Sequence, residues 1–416
     1  MTYAAITGWG KCMPPAVLSN ADLATFLDTD DEWIASRTGI HERRVSHVSA
    51  HALASVAGAR ALACAGLPAA ALDLVVYGSC SNDEQIPNSA SGVQLTLGAT
   101  KAGAMDVNTA CTSFLYALAT ATAMIRTGVV KNALVIGVEV ISPFMDWANR
   151  NVSVLFGDGA AAVVLQASDA PEGLLGERLG CYADARGILR VRGAGFTYAK
   201  KGDVTFGDTV WDFDGREIFK LAVVGMTEAA TEVLAKCGHR VEDVDLVVPH
   251  QANLRIIESV AKRIGAPMER VFLTIERGFS LTQVTAAEGL YLIGVLNLRA
   301  GYAPDVMGPC SYEFGRWQEA AGLYLEFLAA RPGHPAALHL LGDASCRLGD
   351  PATGIALIRK AVAARPDYAE AHNNLGAQLL ALGRAAPRVA ARVLAPHPRA
   401  RGLAGGGAGR PQHLPH

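Results

Sequence analysis

"DVNTACTSFLYALATATAMIRTG", residues 106–128, is the stretch whose reading decides the fold. Residues 104–108 read as a strand. Residues 112–126 form a long apolar run of helical character that closes at Gly128, a residue type suited to a helix C-terminus. A strand, a tight turn and a helix in immediate succession are the unit of layered α/β proteins. Cys111 stands at the turn. Two readings fit it. A lone cysteine is ordinarily a small buried hydrophobe. At a helix N-terminus, however, unpaired N–H groups and the positive end of the dipole favour a thiolate, lower its pKa and stabilise an oxyanion on a bound acyl group.

A reactive thiol needs a base or an electrostatic partner. The best candidate is His250 in "VVPHQANLRI", at the end of another apolar run. "LDLVVYGS" (72–79), "ALVIGVEV" (133–140), "GAAAVVLQ" (159–166) and "VDLVVPHQ" (244–251) are near-continuous β-branched runs bounded by polar or glycine positions, and each predicts a buried strand. "CAGLPAAALDLVV" (64–76) is echoed by "KCGHRVEDVDLVV" (236–248), with Gly66 matching Gly238 and Asp73 matching Asp245. The echo predicts two halves on one βαβ-type plan, which would bring Cys111 and His250 together at the ends of their core strands. With both residues at element ends, the structural and the catalytic reading stand even.

Composition narrows the partners. Half of the 416 residues are hydrophobic and the formal net charge is −2, which argues against nucleic acid or an anionic membrane as the main partner. No stretch is long and apolar enough for a membrane span. "MTYAAITGWG" at the start has no basic segment leading into an apolar one, so the expected location is cytoplasmic. The eight cysteines, at 12, 64, 80, 111, 181, 237, 310 and 346, form no CxxC pair, and no metal site is expected.

Beyond about residue 300 the pattern changes. "ARPGHPAALHLLGDASCRLGD" (330–350) aligns with "ARPDYAEAHNNLGAQLLALGR" (364–384). Pro332 and Pro366, Leu341-Gly342 and Leu375-Gly376, and Leu348-Gly349 and Leu382-Gly383 each lie 34 residues apart, and "FGRWQEA" (314–320) carries the frame one period earlier. Paired helices at that period resemble tetratricopeptide repeats, whose units bury their faces only by stacking, so these are expected to lean on residues 284–300, on the main domain or on a protein partner. From Ala371 onward there is no Asp or Glu, and residues 385–416, rich in Ala, Arg, Pro and Gly, read as a disordered tail.

Five motifs carry a resemblance to the β-ketoacyl-acyl-carrier-protein synthase III family, condensing enzymes of the thiolase fold. They are "TDDEWIASRTGIHERR" (29–44), "DVNTACTSFLYAL" (106–118), "NRNVSVLFGDGAAAVVL" (149–165), "GREIFKLAV" (215–223) and "VPHQANLRI" (248–256). The resemblance covers residues 1–277. It implies a thiolase-like duplicated α/β layered fold over residues 1–283, before a helical repeat segment (284–384) and the tail. It implies decarboxylative condensation of an acyl-CoA primer with malonyl-acyl-carrier protein, through a thioester on Cys111, in fatty-acid or related acyl-chain synthesis. No cofactor is implied beyond these substrates. By the same resemblance His250 hydrogen-bonds the malonyl thioester, Trp33, Arg37 and Arg150 contact the CoA nucleotide, and Asn253 contacts the pantetheine arm. Lys220 and Arg255 dock the carrier protein. Ile86, in "EQIPNSAS" (84–91), falls where the family closes the partner subunit's acyl pocket across a homodimer. A larger aromatic is usual there, so a longer or branched acyl group is expected to fit.

After "VFLTIER" (271–277) the resemblance breaks. The family's third catalytic residue is an asparagine in a Gly-Asn motif; here the text reads "GFSLTQVTAAEGLYL" (278–292), with Ser280 at that position and Gln283 nearby. The family's closing glycine-rich loop and last strands are also missing, so the second half is expected to be truncated. Two alternatives follow: acyl transfer without condensation, or a decayed synthase that binds acyl-CoA or carrier protein and acts through its repeats.

Overall fold

Strands form where apolar runs find neighbours on both sides. In this computed structural model, which describes residues 2–192, 209–275, 296–297, 317–330, 332–366 and 368–381, they are β1 (Tyr3–Cys12), β2 (Ala16–Ser19), β3 (Glu42–Val45), β4 (Leu74–Gly78), β5 (Gly103–Val107), β6 (Asn132–Glu139), β7 (Gly159–Ser168), β8 (Gly173–Leu174), β9 (Leu189–Arg192), β10 (Val210–Phe213) and β11 (Leu296–Asn297). The helices of the same region are α1 (Asn20–Leu23), α2 (Asp31–Thr38), α3 (Ala50–Ala65), α4 (Ser89–Leu97), α5 (Ser113–Arg126), α6 (Arg150–Ser153), α7 (Gly215–Cys237) and α8 (Leu254–Ile264). The chain divides into two compact units, Met1–Ala300 and Gly301–His416.

One seven-stranded sheet organises the first unit, in the order β11-β8-β1-β7-β6-β4-β5. β4 pairs in parallel with β5 and β6, while β7 runs antiparallel to β6 and β1. Every residue of β4 and seven of the eight in β6 are buried, which explains why both read as unbroken apolar runs. Tyr77, Val75, Leu134, Ile136 and Val164 share one core with Leu53, Ala57 and Ala61 of α3. At about 1.5–3 kcal/mol for each fully buried large aliphatic or aromatic side chain, this core dominates the unit's stability.

Three of the predicted strands, 72–79, 133–140 and 159–166, correspond to β4, β6 and β7. The fourth does not. Residues 244–251 carry only an isolated parallel bridge, Val247 to Val271, closed by Val247 N–H to Arg270 O at 2.7 Å and Phe272 N–H to Val247 O at 2.8 Å. The local echo is nevertheless real. Gly66 and Gly238 both end helices in the left-handed region, at φ 65° and 70°, each with its N–H bonded back into the last turn. The difference lies in the neighbours: β4 has a strand on each side, whereas among the described residues the second run pairs with 271–272 alone.

The second unit contains α9 (Trp317–Ala330), α10 (Pro335–Arg347), α11 (Pro351–Ala364) and α12 (Ala369–Ala381), each packed on the next in sequence. Gly342 and Gly354 let α10 and α11 touch backbone to backbone; a Cβ at Gly354 would stand 2.4 Å from Gly342 O. Ala337 and Ala371 are both buried, as are Leu341 and Leu375, and each pair is 34 residues apart. His339 lies between Tyr368 (3.1 Å) and Asn374 (2.8 Å) and bridges α10 to α12. The tail at 385–416 lies outside the described residues.

Replacing Gly78, the last residue of β4, tests how this sheet carries the turn behind it. A Cβ there would lie 2.8 Å from the backbone carbon of Ser113. Gly78→Ala is expected to lower stability by about 1–3 kcal/mol, read as a drop in urea midpoint. An unchanged midpoint would mean that the turn yields freely.

Candidate active site

The turn between β5 and α5 is held under tension. Ala110 has φ 52°, the one positive-φ residue other than glycine among the described residues, a conformation that costs an L-residue about 1–2 kcal/mol. Three local bonds fix it. The Ser113 hydroxyl accepts from Thr109 N–H at 2.9 Å and donates to Ala110 O at 2.7 Å, and Ser113 N–H donates to the same carbonyl at 3.0 Å. Cys111, half-buried, rides on this bend at the N-terminal end of α5.

Its electrostatics differ from the expectation of a lowered pKa. Burial pushes the Cys111 thiol up to about 11, the Glu139 carboxylate adds to that, and a backbone hydrogen bond at Cys111 pulls it partly back. Loss of water outweighs the helix terminus. Glu139, at the end of β6, is itself almost fully buried and accepts from Cys80 N–H (2.9 Å), Ser81 Oγ (2.5 Å) and Cys80 Sγ (3.3 Å). Burial raises its pKa to about 7, against the lowering effect of these donors. Sequence reasoning missed this carboxylate. The available signal was a lone charge inside the apolar run "ALVIGVEV", since a buried acid has to be held by donors.

His250 faces the same space. It lines a cavity of about 680 Å³ together with Cys111, Trp33, Arg37 and Asn253. Burial lowers its pKa to about 4, so the ring is neutral at physiological pH. No strand ladder holds it. The neighbouring Gln251, fully buried, donates to Pro249 O and Phe272 O at 3.0 Å each and accepts from Thr274 N–H at 2.8 Å. This pins the loop to residues 272–274. Gln251 too went unnoticed in the sequence, where it reads as one polar residue among several.

At the outer end, Trp33 on α2 is flanked by two guanidiniums, with Arg37 Cζ 4.6 Å and Arg150 Cζ 4.9 Å from the ring centroid. The motif "TDDEWIASRTGIHERR" explains how α2 is held. Asp30 caps it, accepting from Trp33 N–H at 2.6 Å. Buried Arg43 donates to Asn20 Oδ1 at 2.8 Å and Val154 O at 2.7 Å, while Asn20 donates to Asp31 Oδ1 at 2.7 Å and Ile40 O at 2.8 Å. Asn253 caps α8, accepting from Arg255 N–H at 2.9 Å. Arg255 in turn donates to Ser36 O at 2.8 Å and ties α8 to α2. Lys220 is exposed and paired with Glu217 at 2.6 Å. Ile86 is 90% exposed. Thus Cys111, His250, Trp33, Arg37 and Asn253 share one cavity, Arg150 stacks on its rim, and Lys220, Arg255 and Ile86 do not line it. Ser280 and Gln283 lie outside the described residues. No group of three or more metal-ligating side chains occurs among the described residues, and none of the described helices is long and apolar enough to cross a membrane.

Residues 105–183 match the family model for 3-oxoacyl-[acyl-carrier-protein (ACP)] synthase III, and residues 234–281 match that for its C-terminal part. The chain is 50% identical over 275 residues to β-ketoacyl-[acyl-carrier-protein] synthase III 2 of Vibrio cholerae serotype O1, covering 66% of this chain and 76% of that one. It is 45% identical over 278 residues to the synthase III of Roseiflexus castenholzii, covering 66% and 84%. The chain belongs to the β-ketoacyl-acyl-carrier-protein synthase III family. Among solved structures, 3-oxoacyl-[acyl-carrier-protein] synthase III from Aquifex aeolicus VF5 superimposes with a TM-score of 0.62 at 37% identity, over 68% of this chain and 89% of that one. The Pseudomonas aeruginosa PAO1 enzyme gives 0.63 at 36%, over 68% and 87%. The first unit therefore has the thiolase-like α/β fold, and the chain is an enzyme of the synthase III type, a condensing enzyme of fatty-acid biosynthesis.

Removing the charge of Glu139 is expected to free the thiol. In Glu139→Gln, iodoacetamide alkylation of Cys111 at pH 8 should accelerate about tenfold or more, since removing a neighbouring like charge lowers the thiol pKa and each unit is tenfold in thiolate. A rate identical to wild type would show that the carboxylate does not reach the thiol.

Proposed function

We propose that this synthase III takes an acyl group from acyl-CoA onto Cys111 and condenses it with malonyl-acyl-carrier protein. The observation that carries the reading is the shared cavity: nucleophile and imidazole at its inner end, an aromatic flanked by two guanidiniums at its outer end. The Cys111 sulfur attacks the thioester carbonyl, its proton leaves, and CoA departs as the thiol. The backbone N–H of Cys111 meets the oxyanion. Malonyl-carrier protein then loses CO2, its enolate carbon attacks the acyl-Cys111 carbonyl, and the Cys111 sulfur is expelled. His250, neutral because it is buried, donates to the malonyl thioester oxygen on which the enolate charge collects.

Trp33, Arg37 and Arg150 take the CoA nucleotide, with Arg150 lifting from the indole to admit the adenine. Asn253 takes the pantetheine arm. Lys220 and Arg255 meet the acidic carrier protein. Lys220 also lines a groove of about 660 Å³ with Phe219, Val223, Lys262 and Arg263, which widens the cationic surface. Ile86 faces a second copy across a homodimer. The enzyme works in the cytoplasm, and helices α9–α12 are tetratricopeptide-like units that bind a protein partner; the 34-residue recurrence of Ala337/Ala371 and Leu341/Leu375 supports this.

The sequence around Ser280 favours a second reading, acyl transfer without condensation. Loading needs Cys111 and its turn, whereas decarboxylation draws on the donors around the enolate. A lost donor of this kind lowers kcat by about 10²–10³. Intact-mass measurement after incubation with acyl-CoA separates these readings from a pure binding role. An adduct is expected in wild type and absent in Cys111→Ala, and a wild type that gains no mass overturns both acyl-transfer readings. Trp33→Ala and Arg37→Ala are expected to raise KM for acyl-CoA more than they change kcat; an unchanged KM in both would remove them from the nucleotide site. Phe279→Gly with Ser280→Asn is expected to raise condensation toward the rate of a complete donor set and to leave loading as it is. Wild-type condensation already as fast as loading would mean that Ser280 costs nothing.

A further inference from the structure

Arg43, in the middle of β3, is a costly residue for its place. It is 1% exposed, and burial pulls its pKa down to about 10. Its guanidinium donates to Leu18 O at 3.2 Å, Asn20 Oδ1 at 2.8 Å and Val154 O at 2.7 Å. These acceptors, two carbonyls and a carboxamide, carry no charge to offset its own, and its Nε has no partner among the described residues. Taking a charge out of water without an opposite one beside it opposes folding, so stability does not account for a guanidinium here. Direction does. A planar fork of donors fixes several acceptors at set angles, which neither a lysine nor an apolar side chain can do.

The three acceptors belong to separate pieces of chain, and two of them lead to the rim of the cavity shared by Cys111 and His250. Val154 directly follows α6, and Arg150 stands one turn earlier, at the start of that helix. Asn20 opens α1 and passes the tie on, donating to Asp31 Oδ1 at 2.7 Å. Asp31 opens α2, two residues before Trp33. Arg43 therefore joins the element that carries Arg150 to the element that carries Trp33 and Arg37. The direct contacts of Arg150 lie at the exposed rim. Its Cζ stands 4.9 Å from the indole centroid, and its Nη1 donates to Asp28 O and lies 3.4 Å from the fully exposed Asp28 carboxylate. An adenine that enters between indole and guanidinium displaces these contacts. The buried tie is untouched by that entry.

We propose that Arg43 is a positioning residue of the nucleotide site, holding α2 and α6 at the spacing that receives an adenine between Trp33 and Arg150 once the rim contacts open. The inference rests on the reading of Trp33, Arg37 and Arg150 as the CoA nucleotide site and adds the residue that sets their separation. Loss of the tie then weakens the nucleotide end of a ligand more than its pantetheine end, which meets Asn253 on α8.

CoA and pantetheine are titrated separately into the full chain by calorimetry, and the ratio of their dissociation constants is read. Arg43→Lys keeps the charge and loses the fork. It is expected to lower the preference for CoA over pantetheine about tenfold, the worth of one well-placed cation–aromatic contact. Because Arg43 is buried, thermal unfolding is recorded beside it. Asp31→Ala cuts the same tie from its outer end, where the side chain is 62% exposed, and is expected to lower the preference about threefold, the worth of a modest hydrogen bond. Removing a negative charge beside an anionic ligand would by itself raise that preference, so a fall reports the tie. A preference that stays at the wild-type ratio or rises, in Asp31→Ala or in a folded Arg43→Lys, overturns the positioning role and leaves the nucleotide site standing. A wild type that binds CoA no tighter than pantetheine overturns the nucleotide site itself, and the role of Arg43 with it.

Discussion

The site depends on one bend in the backbone. Ala110 occupies a conformation that an alanine avoids, and the bend survives because two rigid elements specify it from either side. β5 is locked to β4 residue by residue, and the first turn of α5 lies against the bare Cα of Gly78. The Ser113 hydroxyl then closes the loop on itself. A strain of about 1–3 kcal/mol persists only where the surroundings over-determine it, and here they do. The consequence for chemistry is that the sulfur of Cys111 has a fixed address, with the helix N-terminus beneath it and the cavity shared with His250 beside it.

Desolvation sets the charge state of everything near that sulfur. The thiol is pushed to about 11, Glu139 to about 7 and His250 to about 4, and in all three the leading cause is burial. Each group is driven toward its neutral form. For His250 this is consistent with the proposed role, because a neutral imidazole donates a hydrogen bond at pH 7 without delivering a proton to the enolate. For Cys111 it means that charge is not stored on sulfur between turnovers. In the proposed reaction the proton leaves as the carbon–sulfur bond forms, while the developing negative charge moves to an oxygen that backbone N–H groups can meet.

What was legible in the sequence was local. β4, β6 and β7 announce themselves as apolar runs because each is buried on both faces, and α5 announces itself by its apolar period and closing glycine. The direction of the thiol's pKa was not legible. The helix terminus that lowers it is a local feature, whereas the burial that raises it comes from residues far apart in sequence. Glu139 had left a trace, one charge in a strand-like run, but the donors that hold it come from the loop after β4, 58–60 residues earlier. Gln251 left no trace, because its three partners are backbone groups.

The failed strand at 244–251 explains the most about the site. "LDLVVYGS" and "VDLVVPHQ" share a pattern, a preceding helix and a left-handed glycine cap, and yet one is a central strand and the other a single bridge. A strand is made by its neighbours, and no reading of one segment counts them. The two catalytic candidates are therefore held by different means. Cys111 follows β5, an edge strand locked residue by residue to the central strand β4. His250 stands on a loop kept in place by one glutamine and by the apolar face of α8, where Ile256, Ile257, Val260 and Ala261 are buried. In the proposed reaction, acyl loading draws on the first support and decarboxylation on the second. The step that needs the most exact placement of a donor against a developing charge thus rests on the less densely braced half of the site.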